Sequence, residues 1–242
     1  MGAERSEGRG AESPRTIEVT QPLTDTLPGS VLYRCGRTEI LCVASLEDGV
    51  PSWREDGLGW STGEYSLAPY STRPRHRPPT GGRVDGRSQE IRRLIGRALR
   101  ASVDLSRLPG LTLHCDCQVL HADGGTRTAS INAATIALGS LVRAEQERGR
   151  LAEDPRIARI LAVSVGRVGG RPLVDLDYRE DSAAEIDLNI VATPDGALVE
   201  VQGASEADPI PREAWHELVD IGCRAIGALG ETLAPHLQPI ED

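Results

Sequence analysis

The sequence predicts a mixed α+β fold with strands and helices interleaved along the chain, and three observations carry that expectation. Runs rich in strand-forming residues and broken by tight glycine turns lie at both ends of the chain, while two long stretches, near 88–103 and 128–147, carry apolar residues at helical spacing. The resulting order is strands, helix, strand, helix, four strands, helix. Each half holds a strand hairpin and a long helix, a hint of duplication, so residues 16–242 read as a single unit of two packed subdomains with no clean linker. With 242 residues, 39% of them apolar, the chain is long enough to bury a substantial core.

Residues 1–15 are polar and rich in Gly, Ser and Glu, and are expected to form a flexible arm. An extended segment begins at Ile17–Val19, and SVLYRCG followed by RTEILCVASLE reads as two strands about a tight turn. The stretch from Val50 to Tyr70, rich in glycine and aromatics, resists assignment. Residues 71–86 hold three prolines and three glycines without periodicity, a loop longer than ordinary connectors and therefore functional or disordered. In the helix that follows, Ile91, Leu94, Ile95, Ala98, Leu99 and Val103 form one stripe, and Arg93, Arg97 and Arg100 share another face.

After Pro109-Gly110, LTLHCDCQVL reads as a strand with Cys115 and Cys117 packed on its apolar side and His114, Asp116 and Gln118 opposite. HADGGTRTAS then turns into the second helix, Thr128 to Glu147. RILAVSVGRV, PLVDLDY, EIDLNIVAT and ALVEVQG read as four strands with turns at Gly169-Gly170 and Pro194-Asp195-Gly196, and residues 211–230 as the last helix, opened by Pro211.

Composition excludes several classes. No apolar run approaches the 18 or so residues of a membrane span, and the start has no apolar core of a secretory signal, so a cytoplasmic location is expected and no membrane partner. The five cysteines are odd in number and form no C-x-x-C pair, which points away from a disulfide framework or a zinc knuckle. The chain contains no lysine, which removes Schiff-base chemistry and a Walker A loop. No Ser/His/Asp arrangement presents itself. Seven Trp and Tyr with no Phe supply few stacking platforms. The net charge of −9 hides an asymmetry: Arg73 to Arg100 holds nine arginines against two acids, +7, so the remainder carries −16. A concentrated arginine field on an acidic chain is a candidate phosphate grip, although a solvated, salt-bridged face gives the same count.

Two local patterns carry chemistry. In ADGGTRT the glycines free the backbone for a tight turn, and the helix that follows presents unpaired N–H groups to an anion, with Thr126 and Arg127 adding a hydroxyl and a forked cation. Arg87, after Asp85-Gly86 at the head of the first helix, is a second clamp, and His121 lies beside the turn. In DLDYREDSAAEIDLN, Asp187 and Asn189 share a strand face, Asp175 and Asp177 share a face in the strand before, and Asp181 lies in the connection. Asp181 and Asp187 together can hold a divalent cation, for which magnesium suits, or assist a proton transfer. Such acids also cap turns or pair with arginines.

The blocks GSVLYRCGRTEILCVAS, EDGVPSW, GLGWSTGEYSLAP, DGRSQEIRRLIGRALRASVDL, DCQVLHADGGTRTASI, AVSVG, DLDYREDSAAEIDLN and LVEVQG, in this order, resemble the ribonuclease PH family from about Gly8 to the last helix. The resemblance implies that family's fold, mixed β-sheets packed with helices in a pseudo-duplicated β-α arrangement. It implies phosphate-dependent removal of nucleotides from RNA 3′ ends, in particular transfer RNA precursors, with inorganic phosphate as co-substrate, magnesium as cofactor, and a homo-hexameric ring built as a trimer of dimers. By that resemblance phosphate binding falls on Arg87, Gly125, Thr126 and Arg127, the functional aspartates on Asp181 and Asp187, and the loop near the RNA path on Arg73, Arg75 and Arg77; Arg93 and Arg97, on the arginine face of the first helix, are further candidate RNA contacts.

The chain departs from the family at Tyr70, where an arginine is common, and at Gln118, His121 and Asn132-Ala133-Ala134. These changes leave two other readings open: a paralogue using the same phosphate seat on a small nucleoside or nucleotide, and a non-catalytic RNA-binding ring subunit.

Overall fold

The computed structural model describes residues 5–54, 56–77, 85–205 and 208–241. Its first sheet takes β1 (Ile17–Thr20), β2 (Ser30–Cys35), β3 (Thr38–Asp48), β4 (Trp60–Leu67) and β5 (Leu111–His121) in the spatial order β1-β2-β3-β5-β4. All neighbours are antiparallel except β4 and β5, which run parallel because α1 (Gly86–Ser102) lies in the connection between them. The second sheet has the order β7-β6-β8-β9 and is antiparallel throughout, from β6 (Leu161–Val168), β7 (Arg171–Val174), β8 (Ile186–Ala192) and β9 (Leu198–Ser205). Two further long helices, α2 (Thr126–Glu147) and α4 (Arg212–Leu233), and the five-residue α3 (Tyr178–Ser182) complete the fold.

The mixed α+β architecture expected from the sequence is what forms. Helix α2 joins the halves: it contacts β2, β3 and β5 on one side and β6 and β8 on the other. A helix enclosed this way needs small or apolar residues all round, and Ala129, Ala133, Ala134, Ala137 and Gly139 supply them among Ile131, Ile136 and Leu138. Asn132, buried in the same helix, hooks the second sheet through both ends of its amide: Nδ2 donates to the Ala162 carbonyl at 2.9 Å, and Oδ1 accepts from the Ala162 N–H at 2.8 Å. Cys35, Cys42, Cys115 and Cys117 are buried free thiols, as packing residues should be.

Two assignments change. The unassigned stretch before Tyr70 contains β4, whose buried positions are Ser61, Gly63 and Tyr65. Helix α1 packs so closely there that a Cβ on Gly63 would sit 2.4 Å from Ile95 Cγ2. PLVDLDY is not one strand: β7 ends at Val174, Asp175 takes φ +55°, and Asp177 caps α3. The carboxylate of Asp177 accepts from the N–H groups of Arg179 and Glu180, and Glu180 accepts from the Asp177 N–H, a reciprocal capping box that starts a helix where continued pairing was expected.

Residues 5–15, the described part of the segment expected to be a flexible arm, run along β7 and α3. Arg5 donates to the Val174 carbonyl and to Glu180, each at 2.7 Å, and Arg9 donates to the Asp175 carbonyl at 3.0 Å. Arg15 is 3% exposed.

Candidate active site

The site is built around the β5–α2 turn. Gly124 and Gly125 both have left-handed backbones, φ +78° and +64°, and Gly125 is the N-cap of α2. A Cβ on Gly124 would lie 2.5 Å from the Leu176 carbonyl, so the turn is pressed against the backbone that leads into α3. Thr38 Oγ1 fixes the turn from β3, donating to the Gly124 carbonyl at 2.7 Å and accepting from the Asp123 N–H at 3.0 Å. The start of α2, Gly125 to Arg127, lines the cleft, and the first turn of a helix carries N–H groups without intrahelical partners. Thr126 is buried with its hydroxyl 2.9 Å from Tyr65 Oη of β4, and burial pushes the Tyr65 phenol above its ordinary range, keeping it neutral.

Arg127 and Arg87 line the cleft in front of this turn. Arg127 belongs to α2 itself; its Nη2 lies 3.4 Å from Glu90 Oε1, and its Nε is buried without a hydrogen-bond partner. Arg87 stands exposed at the head of α1, a helix started by Asp85, whose carboxylate accepts from the N–H and hydroxyl of Ser88 at 2.9 and 2.7 Å.

The acids come from the second sheet. Asp187 lies on β8 opposite Gly166 of β6 and Ala204 of β9, flanked by Ile186 and Leu188, which point into the core. Asp181 is held by α3. The α3 capping box and Arg5 on Glu180 fix that short helix, although the Asp177 carboxyl must overcome burial, which its backbone hydrogen bonds do, holding it below the usual range.

One cleft of about 570 Å³ collects Arg73, Arg87, Gly125, Thr126, Arg127, Asp181 and Asp187. A neighbouring depression of about 380 Å³ shares Arg87, Arg127, Asp181 and Asp187 and adds Glu90 and Gln202. The sequence-predicted phosphate and acidic residues thus converge on one place. His121 lines the cleft too, with Nδ1 2.6 Å from the Arg37 carbonyl oxygen.

Other predicted residues stand apart. Arg75 and Arg77 are exposed outside the cleft wall, and the rest of their loop, 78–84, lies outside the described residues. Arg97 is forked onto Glu200 of β9 at 2.6 and 2.5 Å, a tie between α1 and the second sheet. Arg93 faces a separate depression with Trp60, Arg92 and Arg100. Asp175 and Asp177, read as two residues on one strand face, are instead an ion-pair partner and a helix cap.

Sequence reading missed Arg37, Tyr65, Ser164 and Tyr178 as cleft residues, since each comes from an element whose place in space no local pattern reveals. The capping signature Asp177-x-x-Glu180 was the one available signal for α3.

Among the described residues no group of three or more His, Cys, Asp or Glu gathers to hold a metal, and no helix is long and apolar enough to cross a membrane. Asp181 and Asp187 line the same depression and offer only carboxylate oxygens, the donor type that suits a hard divalent cation completed by water and phosphate oxygens.

Comparison with known proteins agrees in extent and in kind. Residues 13–142 match the 3′ exoribonuclease family, domain 1, and residues 158–225 match domain 2 of the same family. The ribonuclease PH of Corynebacterium efficiens is 45% identical over 227 residues, covering 92% of this chain and 93% of that protein. The ribonuclease PH of Mycobacterium ulcerans is 46% identical over 230 residues, covering 94% and 89%. Among solved structures, a chain of an Archaeoglobus fulgidus exosome with RNA bound to the active site superposes with a TM-score of 0.81 at 25% identity, covering 95% of this chain and 92% of that one.

Proposed function

This chain belongs to the 3′ exoribonuclease family, and we propose that its cleft carries out phosphorolysis of RNA from the 3′ end. The observation that carries the reading is that Arg87, the Gly125–Arg127 helix start and the pair Asp181 and Asp187 line one cleft although they come from four separate elements. An anion seat facing two carboxylates suits a reaction between two phosphate groups, where aligning like charges is the main difficulty.

Inorganic phosphate binds against the α2 N-terminus, held by Thr126, Arg127 and Arg87. One of its oxygens attacks the phosphorus of the last phosphodiester; the bond from that phosphorus to the 3′ oxygen breaks, and the 3′ oxygen leaves with a proton as a hydroxyl. The products are a nucleoside 5′-diphosphate and an RNA one residue shorter, and no covalent enzyme intermediate is needed. Asp181 and Asp187 would hold magnesium, which when bound neutralises charge on the phosphates; one of the two would also relay the proton to the leaving oxygen.

Arg73 lies at the cleft wall where the RNA enters, and Arg75, Arg77 and Arg93 add positive charge outside it. Arg97 is engaged with Glu200 and is left out of the RNA contacts. The substrate is an RNA 3′ end such as a transfer RNA precursor. The likeness to an exosome chain supports assembly into a ring, six copies as a trimer of dimers; sedimentation as a monomer at micromolar concentration contradicts that part. Buried free thiols fit a reducing, cytoplasmic setting.

The test is incubation with a 3′-extended transfer RNA and magnesium, with and without phosphate. Shortening that needs phosphate supports the proposal; equal shortening without it, or none under either condition, sinks it.

A further inference from the structure

We propose that Arg15 is a positioning residue: its guanidinium ties the turn that seats phosphate to the segment that carries Asp181, and so sets the spacing across the cleft. This rests on the phosphorolytic reading above. One edge of the guanidinium forks onto Asp175, with Nε 2.9 Å from Oδ2 and Nη2 2.6 Å from Oδ1. The other edge reaches the β5–α2 turn, where Nη1 donates to the Asp123 carbonyl at 2.6 Å and Nη2 lies 3.4 Å from the Gly124 carbonyl. A single side chain thus hydrogen-bonds both halves of the site.

Both attachments are made rigid by their neighbours. The Asp175 carboxylate also accepts the Arg15 backbone N–H at 2.8 Å and the Cys35 thiol at 3.4 Å, and its own backbone, at φ +55°, bends the chain out of β7 two residues before the cap of α3. Such a backbone is strained in a residue other than glycine and persists where its surroundings fix it. On the other side, Gly124 already touches the backbone at Leu176 and Asp177, so a shift of Arg15 moves the turn and α3 relative to each other. A buried ion pair is weak evidence for stability alone, because desolvation offsets its attraction. Here the pair spends its remaining donors on the carbonyls of the phosphate-seating turn, which a purely stabilising pair has no need to do.

The test compares the parent with Arg15→Lys, which keeps the charge and loses the fork, and with Asp175→Asn. The reading is the KM for phosphate at saturating RNA. Loosened spacing raises it about tenfold in both variants with KM for RNA within twofold of the parent, whereas a merely structural pair lowers the folded fraction and hence the maximal rate without moving KM for phosphate. An unchanged KM for phosphate in a folded variant overturns the proposal, as does failure of both variants to fold at every temperature at which the parent is active.

A parent that shows no phosphate-dependent release contradicts the exoribonuclease reading itself. Positioning is then read from melting temperature with and without 10 mM inorganic phosphate. A rise in the parent that is lost in Arg15→Lys supports the role, and any other pattern counts against it.

Discussion

The guanidinium of Arg127 and the carboxylate of Glu90 meet at 3.4 Å across the gap between α2 and α1, at the edge of the seat proposed for phosphate. An acid at that point both steadies the arginine and competes with an incoming anion. Glu90 is 42% exposed, so its attraction is partly screened and the net effect is small. Glu90→Gln is expected to lower the KM for phosphate about two- to fivefold, the range of roughly 0.4–1 kcal/mol, with little change in melting temperature. Steady-state kinetics against phosphate concentration checks it, and a raised KM means that Glu90 serves mainly to orient Arg127.

Asp187→Asn keeps shape while removing charge. If the residue holds magnesium or relays a proton, turnover falls about 10²-fold or more while RNA affinity stays within twofold, because the arginines proposed to attract the RNA are untouched. Melting temperature and turnover measured on one preparation separate this from a structural role, in which the variant melts earlier and keeps its rate per folded molecule.

Gly124→Ala places a side chain at φ +78° and 2.5 Å from the Leu176 carbonyl. The turn must open, so a loss of about 2 kcal/mol or more in unfolding free energy is expected, together with a raised KM for phosphate. Urea titration and kinetics on the same variant check both, and parental stability would mean that the turn is not packed against α3.

Acid stability follows from Asp175. Burial works against its ionisation, but the hydrogen bonds and charge of Arg15 outweigh burial and hold the carboxyl below its ordinary range. The native chain then binds fewer protons than the unfolded one, so this contribution is complete above about pH 4 and is lost as the pH falls through the depressed native value. Asp154, despite its burial, is held low by Arg156 and adds to the same window. Melting temperature is expected to be level in its carboxylate contribution from pH 7 to 5 and to drop below 4, less steeply in Asp175→Asn. An equal drop in that variant rules out Asp175 as a source.

The turn and helix start proposed to seat phosphate were legible because their signal is local: two glycines, a hydroxyl, an arginine and an apolar helix, all consecutive. Asp187 was legible because strand alternation puts it opposite Ile186 and Leu188. Strand β4 was hidden because its buried face is Ser61, Gly63 and Tyr65, small or polar positions dictated by the close approach of α1. The bend at Asp175 was hidden because the partner of its carboxylate, Arg15, lies 160 residues away in a polar segment without periodicity. The pairing of Arg97 with Glu200 was hidden for a similar reason, since that partner comes from the other sheet.

The central claim is that phosphate, not water, attacks the RNA end. Incubating the chain with a 3′-extended RNA, magnesium and isotopically labelled inorganic phosphate reads this directly. Phosphorolysis puts the label in the β-phosphate of every released nucleoside diphosphate, one for each residue removed. Unlabelled nucleoside monophosphates, released at a rate indifferent to phosphate, would contradict it.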